Sequence, residues 1–179
     1  MPEVEIRSVV ASEINQINDL DPSYTTDYVW QMDRILEEKQ VSISFREVRL
    51  PRSVRVDYPR SLDVIIKDGL QNYHLLIASQ GGKCVGYIRF TDYFVPLTTW
   101  VTDLVISGKM RRQGVATALL IAIQDWTKRK KNKNILLEMQ SKNYSAICLA
   151  QKLGFEFCGF QEKYYSSQDL ALFFILNLR

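Results

Sequence analysis

Residues 111–117 read Arg-Arg-Gln-Gly-Val-Ala-Thr, and their types and spacing suit one task, holding a pyrophosphate. The first N–H groups of a helix have no internal acceptor, and the helix dipole places partial positive charge beside them. Several such groups aimed at one point make an anion site. Gly114 permits a tight turn and lets a phosphate approach without meeting a side chain, and Ala116 is small for the same reason. Arg111 and Arg112 add charge, Gln113 adds a neutral donor, and Thr117 offers a polar group in the first turn. The chemistry implied is the gripping of a nucleotide-bearing cofactor by main-chain amides. The G-x-G-x-x-G spacing of a dinucleotide site and the G-K-[ST] of a Walker loop are both missing.

Two elements must position that loop. Residues 98–107 before it form an apolar strand. After it, Val115, Leu119, Ala122, Ile123 and Trp126 recur at helical spacing. Further on, residues 135–139 read as a buried strand. Asn143 fits a helix N-cap, and Gly154 fits a left-handed C-cap after Lys152-Leu153. Residues 155–160 alternate like a strand, and 170–178 form a last apolar one.

Arg111-x-x-Gly114-x-Ala116 after a strand, then Asn143-x-x-Ala146 and Lys152-x-Gly154-Phe155 after another, resembles the GNAT acetyltransferases. The likeness covers roughly residues 74–179. The late Tyr165-Ser166 pair and the Ala-Leu-Phe-Phe strand resemble the streptothricin acetyltransferases in particular. The resemblance implies a single-domain α/β GNAT fold over residues 1–179, a twisted mixed sheet flanked by helices. Residues 1–73 would be the variable acceptor side, and 74–179 the acetyl-CoA-binding core.

Two central parallel strands are then expected to splay, with the pantetheine arm between them paired to the main chain of Leu104, Val105 and Ile106. The loop of Arg111, Arg112, Gln113, Gly114, Val115 and Ala116, with Thr117, would hold the pyrophosphate. Asn143 and Ala146 would touch the cofactor, Asn143 while also capping its helix. The activity implied is transfer of an acetyl group from acetyl-CoA to a primary amine of a small molecule, by direct attack in a ternary complex. A protein or peptide N-acetyltransferase and a non-catalytic acyl-CoA-binding module are the alternatives.

The last alternative comes from a departure. The family often carries a tyrosine four positions after the alanine of N-x-x-A, where it protonates the leaving thiolate, and this chain has Ala150 there. Tyr165 becomes the substitute acid, ahead of Tyr164 and Tyr144. Asp103 is the expected base, direct or through water, since it is the only acid between Trp100 and Ile106. Simple alternation puts it on one face with Val101 and Val105, where burial would raise its pKa. A carboxylate held structurally at the sheet end is the competing reading.

Composition sets limits. A chain of 179 residues, 46% hydrophobic and 24% charged, suits one soluble globular domain. No apolar run reaches membrane-spanning length, and the N-terminus lacks signal-peptide regions, so a cytoplasmic enzyme with no membrane partner is expected. Cys84, Cys148 and Cys158 read as buried thiols in a reducing compartment. His74 is the only histidine and is read as structural, so no metal is expected. Lys128–Lys131 reads as a solvated helix end, which makes a nucleic-acid partner unexpected. Homodimerisation is left open.

The first half is expected to contain a strand at 4–9, a short helix at 12–20, a second helix at 26–36 and a strand at 41–48. An irregular excursion would follow at 49–60, then a hairpin of 74–79 and 84–90 across Gly81-Gly82. Asp21, Asp27, Tyr28 and Trp30 are candidates to gather near a cationic acceptor, while at least two of Tyr24, Tyr28 and Trp30 are read as core aromatics instead. The arginines of the excursion are candidates for an anionic group on the acceptor.

Overall fold

The computed structural model of the chain describes residues 3–10, 13–61 and 72–178. Seven strands form one mixed sheet, and two more form a separate long hairpin. In chain order the elements are β1 (Glu5–Ser8), α1 (Ile14–Asn18), β2 (Tyr24–Glu37), β3 (Gln40–Val56), β4 (His74–Gln80), β5 (Lys83–Thr91) and β6 (Thr98–Ile106). Then come α2 (Val115–Arg129), β7 (Asn134–Gln140), α3 (Tyr144–Lys152), β8 (Glu156–Gln161) and β9 (Ala171–Asn177). The sheet order is β1-β4-β5-β6-β7-β9-β8. Every neighbouring pair is antiparallel except β6–β7.

That one parallel pair is short. β6 and β7 match only from Thr98↔Asn134 to Val101↔Leu137. Beyond these residues β6 stays bonded to β5 and β7 to β9, so the strands splay at their C-terminal ends.

Each face of the sheet buries its own cluster. On one face Ile88, Phe90, Val101, Leu137 and Phe174 pack with Leu119 and Ile123 of α2 and Ile147 of α3. On the other, Leu75, Ile77, Tyr87 and Val105 pack with Ile17 of α1 and the following Leu20. Helices therefore flank both faces, as expected. Burying each large aliphatic side chain stabilises by about 1.5–3 kcal/mol. The helix at 12–20 is present as α1, although its expected start at Ser12 lies outside the described residues.

The expected helix at 26–36 is a strand instead. Residues 24–37 are rich in aromatic and β-branched types, which fit a pleated surface better than a helix. Their apolar spacing is compatible with either period, and the partner strand decides: β2 pairs with β3 from Tyr24↔Val56 to Glu37↔Gln40. Leu36 is 68% exposed near the hairpin tip.

The expected excursion at 49–60 is mostly strand as well. β3 runs to Val56, and only its stretch between Arg49↔Tyr28 and Val54↔Thr26 loops out, opposite Asp27. Pro51 lies in that outlooped stretch, where its missing N–H breaks no ladder bond. Residues 57–61 alone are irregular.

The hairpin across Gly81-Gly82 forms as expected, with φ of 56° and 76° that suit glycine. Of the three free thiols, Cys84 and Cys148 are half-buried. Cys158 is exposed on β8, a strand at the sheet's edge, rather than buried as expected. His74 packs its ring against Trp126 (4.7 Å) and Phe90 (5.2 Å) at the start of β4. No helix among the described residues is long and apolar enough to cross a membrane.

Candidate active site

The loop that carries the anion-binding pattern leaves β6 through a single 3-10 turn at Gly108–Met110. Arg112 (φ 63°) and Gly114 (φ 89°) then adopt left-handed conformations. Gly114 is the residue that caps α2, and it has no side chain to offer. The first bond of helical spacing runs from Ala118 N–H to Gly114 O, so the preceding amides of the first turn have no helical acceptor. Arg112 and Gln113 are exposed, Gly114, Ala116 and Thr117 half-buried, and Val115 is buried in the core.

Arg111 has a different employment from the one expected. Its Nε donates to Ile106 O (3.0 Å), and its Nη2 donates to Ser23 O (2.7 Å) and Asp21 O (3.3 Å). The guanidinium is thus committed to carbonyls, tying the loop to the turn between α1 and β2. Gln113 Nε2 likewise donates to Lys109 O (2.7 Å), inside the loop.

A cavity of about 60 Å³ opens where β6 and β7 part. Val101 and Leu104 of β6, Leu137 to Gln140 of β7, and Leu120 of α2 line it. Asn143, Ala146, Leu149 and Ala150 form its α3 side, and Tyr58, Pro59 and Tyr165 complete it. Asn143 is the expected N-cap: its Oδ1 accepts from Ala146 N–H (3.2 Å). Gly154, with φ 83°, ends the helix as expected. Ala150 is fully buried in this wall, so the position expected to hold a tyrosine presents only a methyl group.

Of the three residues expected to supply backbone pairing, the structure brings only Leu104 to the cavity. Val105 turns its side chain into the cluster on the opposite face. Ile106 O is occupied by Arg111. That bond marks the open side of β6, and strand alternation presents the main-chain groups of Leu104, two residues earlier, to the same side.

The polar centre of the site is a buried charge cluster. Arg60, from the irregular segment 57–61, reaches between the parted strands. Its Nη1 donates to Thr102 O (2.8 Å) and lies 3.5 Å from Asp103 Oδ1, while its Nη2 bonds Glu138. Asp103 also accepts from Tyr58 Oη (2.9 Å), Thr102 Oγ1 (2.9 Å) and Arg89 Nη1 (3.4 Å). The Asp103 and Glu138 side chains have no exposure, and that of Arg60 is 20% exposed.

The face of Asp103 departs from simple alternation. The ladder pairs Arg89 with Asp103 but Phe90 with Val101, so Thr102 is bulged. The bulge flips the pattern: Val101 points into the α2–α3 cluster, while Asp103 shares its face with Arg89 and Val105. A bulge of this kind re-aims a side chain beside a site.

Glu138 is the member that sequence reasoning missed, whereas Arg60 is one of the excursion arginines read as candidates for an anionic group on the acceptor, and it bonds this chain's own carboxylates. Glu138 had a visible signal, a lone acid in an otherwise apolar strand. Burial pushes its carboxyl above the ordinary range, against the opposing pull of Arg60 and of Tyr164, whose Oη donates to it (3.0 Å). Arg60 shares its segment with Arg49, Arg52 and Arg55, and nothing local singles it out among them.

Among the tyrosines considered as acids, Tyr165 lines the cavity and is 5% exposed, with Arg60 Cζ 5.3 Å from its ring. Burial pushes its phenol well above the usual value, so it stays protonated. Tyr164 is engaged with Glu138, and Tyr144 stacks on Tyr28 at 5.0 Å. Tyr28 is in that stack, and Trp30 packs among Phe45, Phe157 and Phe174, so both rings are engaged with other aromatics, as the core reading has it. Asp27 bonds Ser53, and Asp21 accepts from Ser23 N–H. Among the described residues there is no group of three or more His, Cys, Asp or Glu placed to hold a metal ion.

Residues 37–155 match the model of the acetyltransferase (GNAT) family. A nourseothricin acetyltransferase superposes with a TM-score of 0.83 at 21% identity, over 98% of this chain and 99% of that one. A Bacillus anthracis str. Ames protein, provisionally assigned as a streptothricin acetyltransferase and solved with acetyl coenzyme A, gives 0.77 at 20% identity, over 98% and 100%. The ribosomal-protein-S18-alanine N-acetyltransferase of Escherichia coli gives 0.69 at 16% identity, over 98% and 94%. No curated protein sequence matches significantly.

Proposed function

The chain belongs to the acetyltransferase (GNAT) family, and on that premise we propose that it moves an acetyl group from acetyl-CoA to a primary amine of a small molecule. The observation that carries this reading is the cavity between β6 and β7, narrow, mostly apolar and walled by Tyr165 and Glu138. Its mostly apolar lining between the parted strands suits a pantetheine arm, with the main chain of Leu104 as its pairing partner. The amides at the start of α2, with Arg112, Gly114, Ala116 and Thr117, suit the pyrophosphate. Arg111 and Gln113 shape that loop rather than contact the anion. Asn143 caps α3 and, with Ala146, borders the arm.

Attack by the amine on the thioester carbonyl needs position above all, because the thioester is already activated. Tyr165 is the donor for the departing thiolate. Its phenol is too weakly acidic to surrender a proton outright to a thiolate, so it stabilises the leaving sulfur by a hydrogen bond. The carboxylates Asp103 and Glu138 are the groups available to accept the acceptor's proton. A small amine is the first reading of the acceptor, supported by the fold shared with a nourseothricin acetyltransferase. A protein acceptor is the second reading, supported by the fold shared with an S18-alanine acetyltransferase.

The test is thiol release from acetyl-CoA across streptothricin, lysine, polyamines and an N-terminal peptide, with acetyl-CoA binding followed by calorimetry. Turnover with a small amine is expected. Preference for the peptide would favour the second reading, and binding without turnover would leave an acceptor outside this panel or an acyl-CoA-binding module.

A further inference from the structure

We propose that the outloop of β3 is an anion site, in which Arg49 and Arg52 take the 3′-phosphate on the ribose of acetyl-CoA. The proposal rests on the acetyltransferase reading above and extends it to the nucleotide end of the cofactor.

The site is a second cavity, separate from the one between β6 and β7. Asp27, Arg49, Leu50, Pro51, Arg52 and Ser53 line an open space of about 500 Å³, against about 60 Å³ in the splay. It exists because one residue of β2, Asp27, stands against four of β3, between Thr26↔Val54 and Tyr28↔Arg49. Extra residues in one strand of a pair re-aim side chains and recur beside sites. Two devices hold the shape. Pro51 fixes a backbone angle, and Ser53 Oγ donates to Asp27 Oδ1 across the loop.

The charge on this cavity is unspent. Elsewhere in the hairpin Arg34 pairs with Glu162, Arg46 with Asp33 (2.7 Å) and Arg55 with Asp21 (3.2 Å). Arg49 and Arg52 are exposed and make no ion pair with a described carboxylate. Two cations gathered at one cavity repel each other, and an anion between them relieves the repulsion. Guanidinium forks match the oxygens of a phosphate in pairs. A carboxylate has two oxygens and leaves one fork idle. Asp27 is the one acid on the wall, and with Ser53 on Oδ1 its Oδ2 stays open as an acceptor. Two forks and one acceptor suit a phosphomonoester beside a hydroxyl. The ribose 3′-phosphate of acetyl-CoA, with its neighbouring 2′-hydroxyl, has that chemistry.

The hairpin ties this cavity to both borders of the proposed cofactor channel. Past one end of the outloop, Arg55 pairs with Asp21, and the carbonyls of Asp21 and Ser23 hold Arg111 of the pyrophosphate loop. At the other end Tyr28, the ladder partner of Arg49, stacks on Tyr144 at the start of α3. Tyr144 follows Asn143, which lines the channel. Beyond the pyrophosphate, the 3′-phosphate is the one charged group the cofactor carries.

The experiment is calorimetry of the full chain with acetyl-CoA and with its 3′-dephospho analogue. Wild type, Arg49→Ala, Arg52→Ala, the double alanine variant and Arg52→Lys are compared, with thermal unfolding of each. Wild type is expected to bind acetyl-CoA about tenfold or more tightly than the dephospho analogue. That preference is expected to shrink as salt rises, because both guanidiniums are exposed. The double variant is expected to bind the two ligands within about twofold of each other. Its affinity for the dephospho analogue is expected to match wild type, which shows that the channel and the fold are intact. Arg52→Lys keeps the charge without the fork and is expected to recover part of the preference.

A wild type that binds the two ligands equally overturns the assignment and leaves the acetyltransferase reading standing. So does a preference that survives the double variant, which places the 3′-phosphate elsewhere. If that variant keeps the preference but raises KM for a carboxylate-bearing acceptor such as lysine, the arginines read the acceptor and the assignment falls. A wild type that binds neither ligand overturns the acetyltransferase reading and the assignment together.

Discussion

Asp103 and Tyr165 carry opposite lessons about single residues. Asp103 is a lone acid on a central strand, and its place among four donors makes it an anchor for two guanidiniums. Tyr165 lines the cavity with its phenol protonated, and its hydroxyl is the group expected to matter. Tyr165→Phe is expected to lower kcat by about tenfold to a hundredfold, less than a full proton transfer would supply, with acetyl-CoA affinity nearly unchanged. Steady-state kinetics with parallel calorimetry checks both halves.

A second single-residue effect lies outside the site. Hydrogen bonds from Arg7 pull the carboxyl of Glu13 from 4.5 down to about 2. A carboxylate held lower in the folded chain contributes stability above its unfolded value and loses it as pH falls through the folded value. Glu13→Gln is therefore expected to be less stable than wild type above about pH 5, with the two stability curves converging toward pH 2. Urea unfolding at stepped pH measures the gap, and a gap that widens toward acid would contradict it. The pair is half-buried and still reached by solvent, whose screening keeps the gap modest.

At the level of elements, two junctions matter. The α3 cap is a single acceptor, Asn143 Oδ1, and Asn143→Ala is expected to cost about 1 kcal/mol in unfolding free energy. If the same asparagine also borders the cofactor, acetyl-CoA affinity falls beyond that stability loss. The β5–β6 contact is tighter. A Cβ on Gly86 would lie 2.7 Å from Ile106 Cδ1 and 2.9 Å from Val105 O, so Gly86→Ala must push β6 away from β5. It is expected to destabilise by about 1–3 kcal/mol and to weaken acetyl-CoA binding, because the displaced strand carries Leu104. Wild-type stability in that variant would show that β6 has room to shift.

These elements also show how far the sequence could be read. The second half was legible because its signals are local: a glycine after a basic pair, an asparagine before a helix, alternating apolar residues. The hairpin of β2 and β3 was not, because 24–37 carries a pattern that both periods tolerate, and the choice is made by a strand that begins at Gln40. The site was legible where it is built of main chain and illegible where it depends on distance. Arg60 meets Asp103 and Glu138 across 43 and 78 positions, and the bulge at Thr102 that aims Asp103 has no mark of its own.

Across the whole molecule, the hairpin is joined to the sheet mainly at its base and middle. Tyr24 Oη donates to Gln140 (2.7 Å), Trp30 N–H donates to Ser141 O (2.9 Å), and Phe45 packs on Phe157 and Phe160. The tip stands clear, with Ile35, Leu36 and Val41 each more than 60% exposed. Replacing residues 35–41 by a short turn is expected to leave acetyl-CoA affinity within about twofold, roughly 0.4 kcal/mol. A larger loss by calorimetry would mean that the tip supports the cofactor site.

The order β7-β9-β8 has a consequence for how the chain is made. β8 is synthesised before β9, yet within the sheet its neighbour is β9, so it has nothing to pair with until its successor arrives. A chain stalled on the ribosome with β8 emerged and β9 still in the tunnel holds a loose segment containing Tyr164, Tyr165 and an exposed thiol at Cys158. The donors that complete the site therefore come last, after the loop at α2 has already formed. Proteolysis of stalled chains should cut between β8 and β9 until residue 177 is free, and then cease.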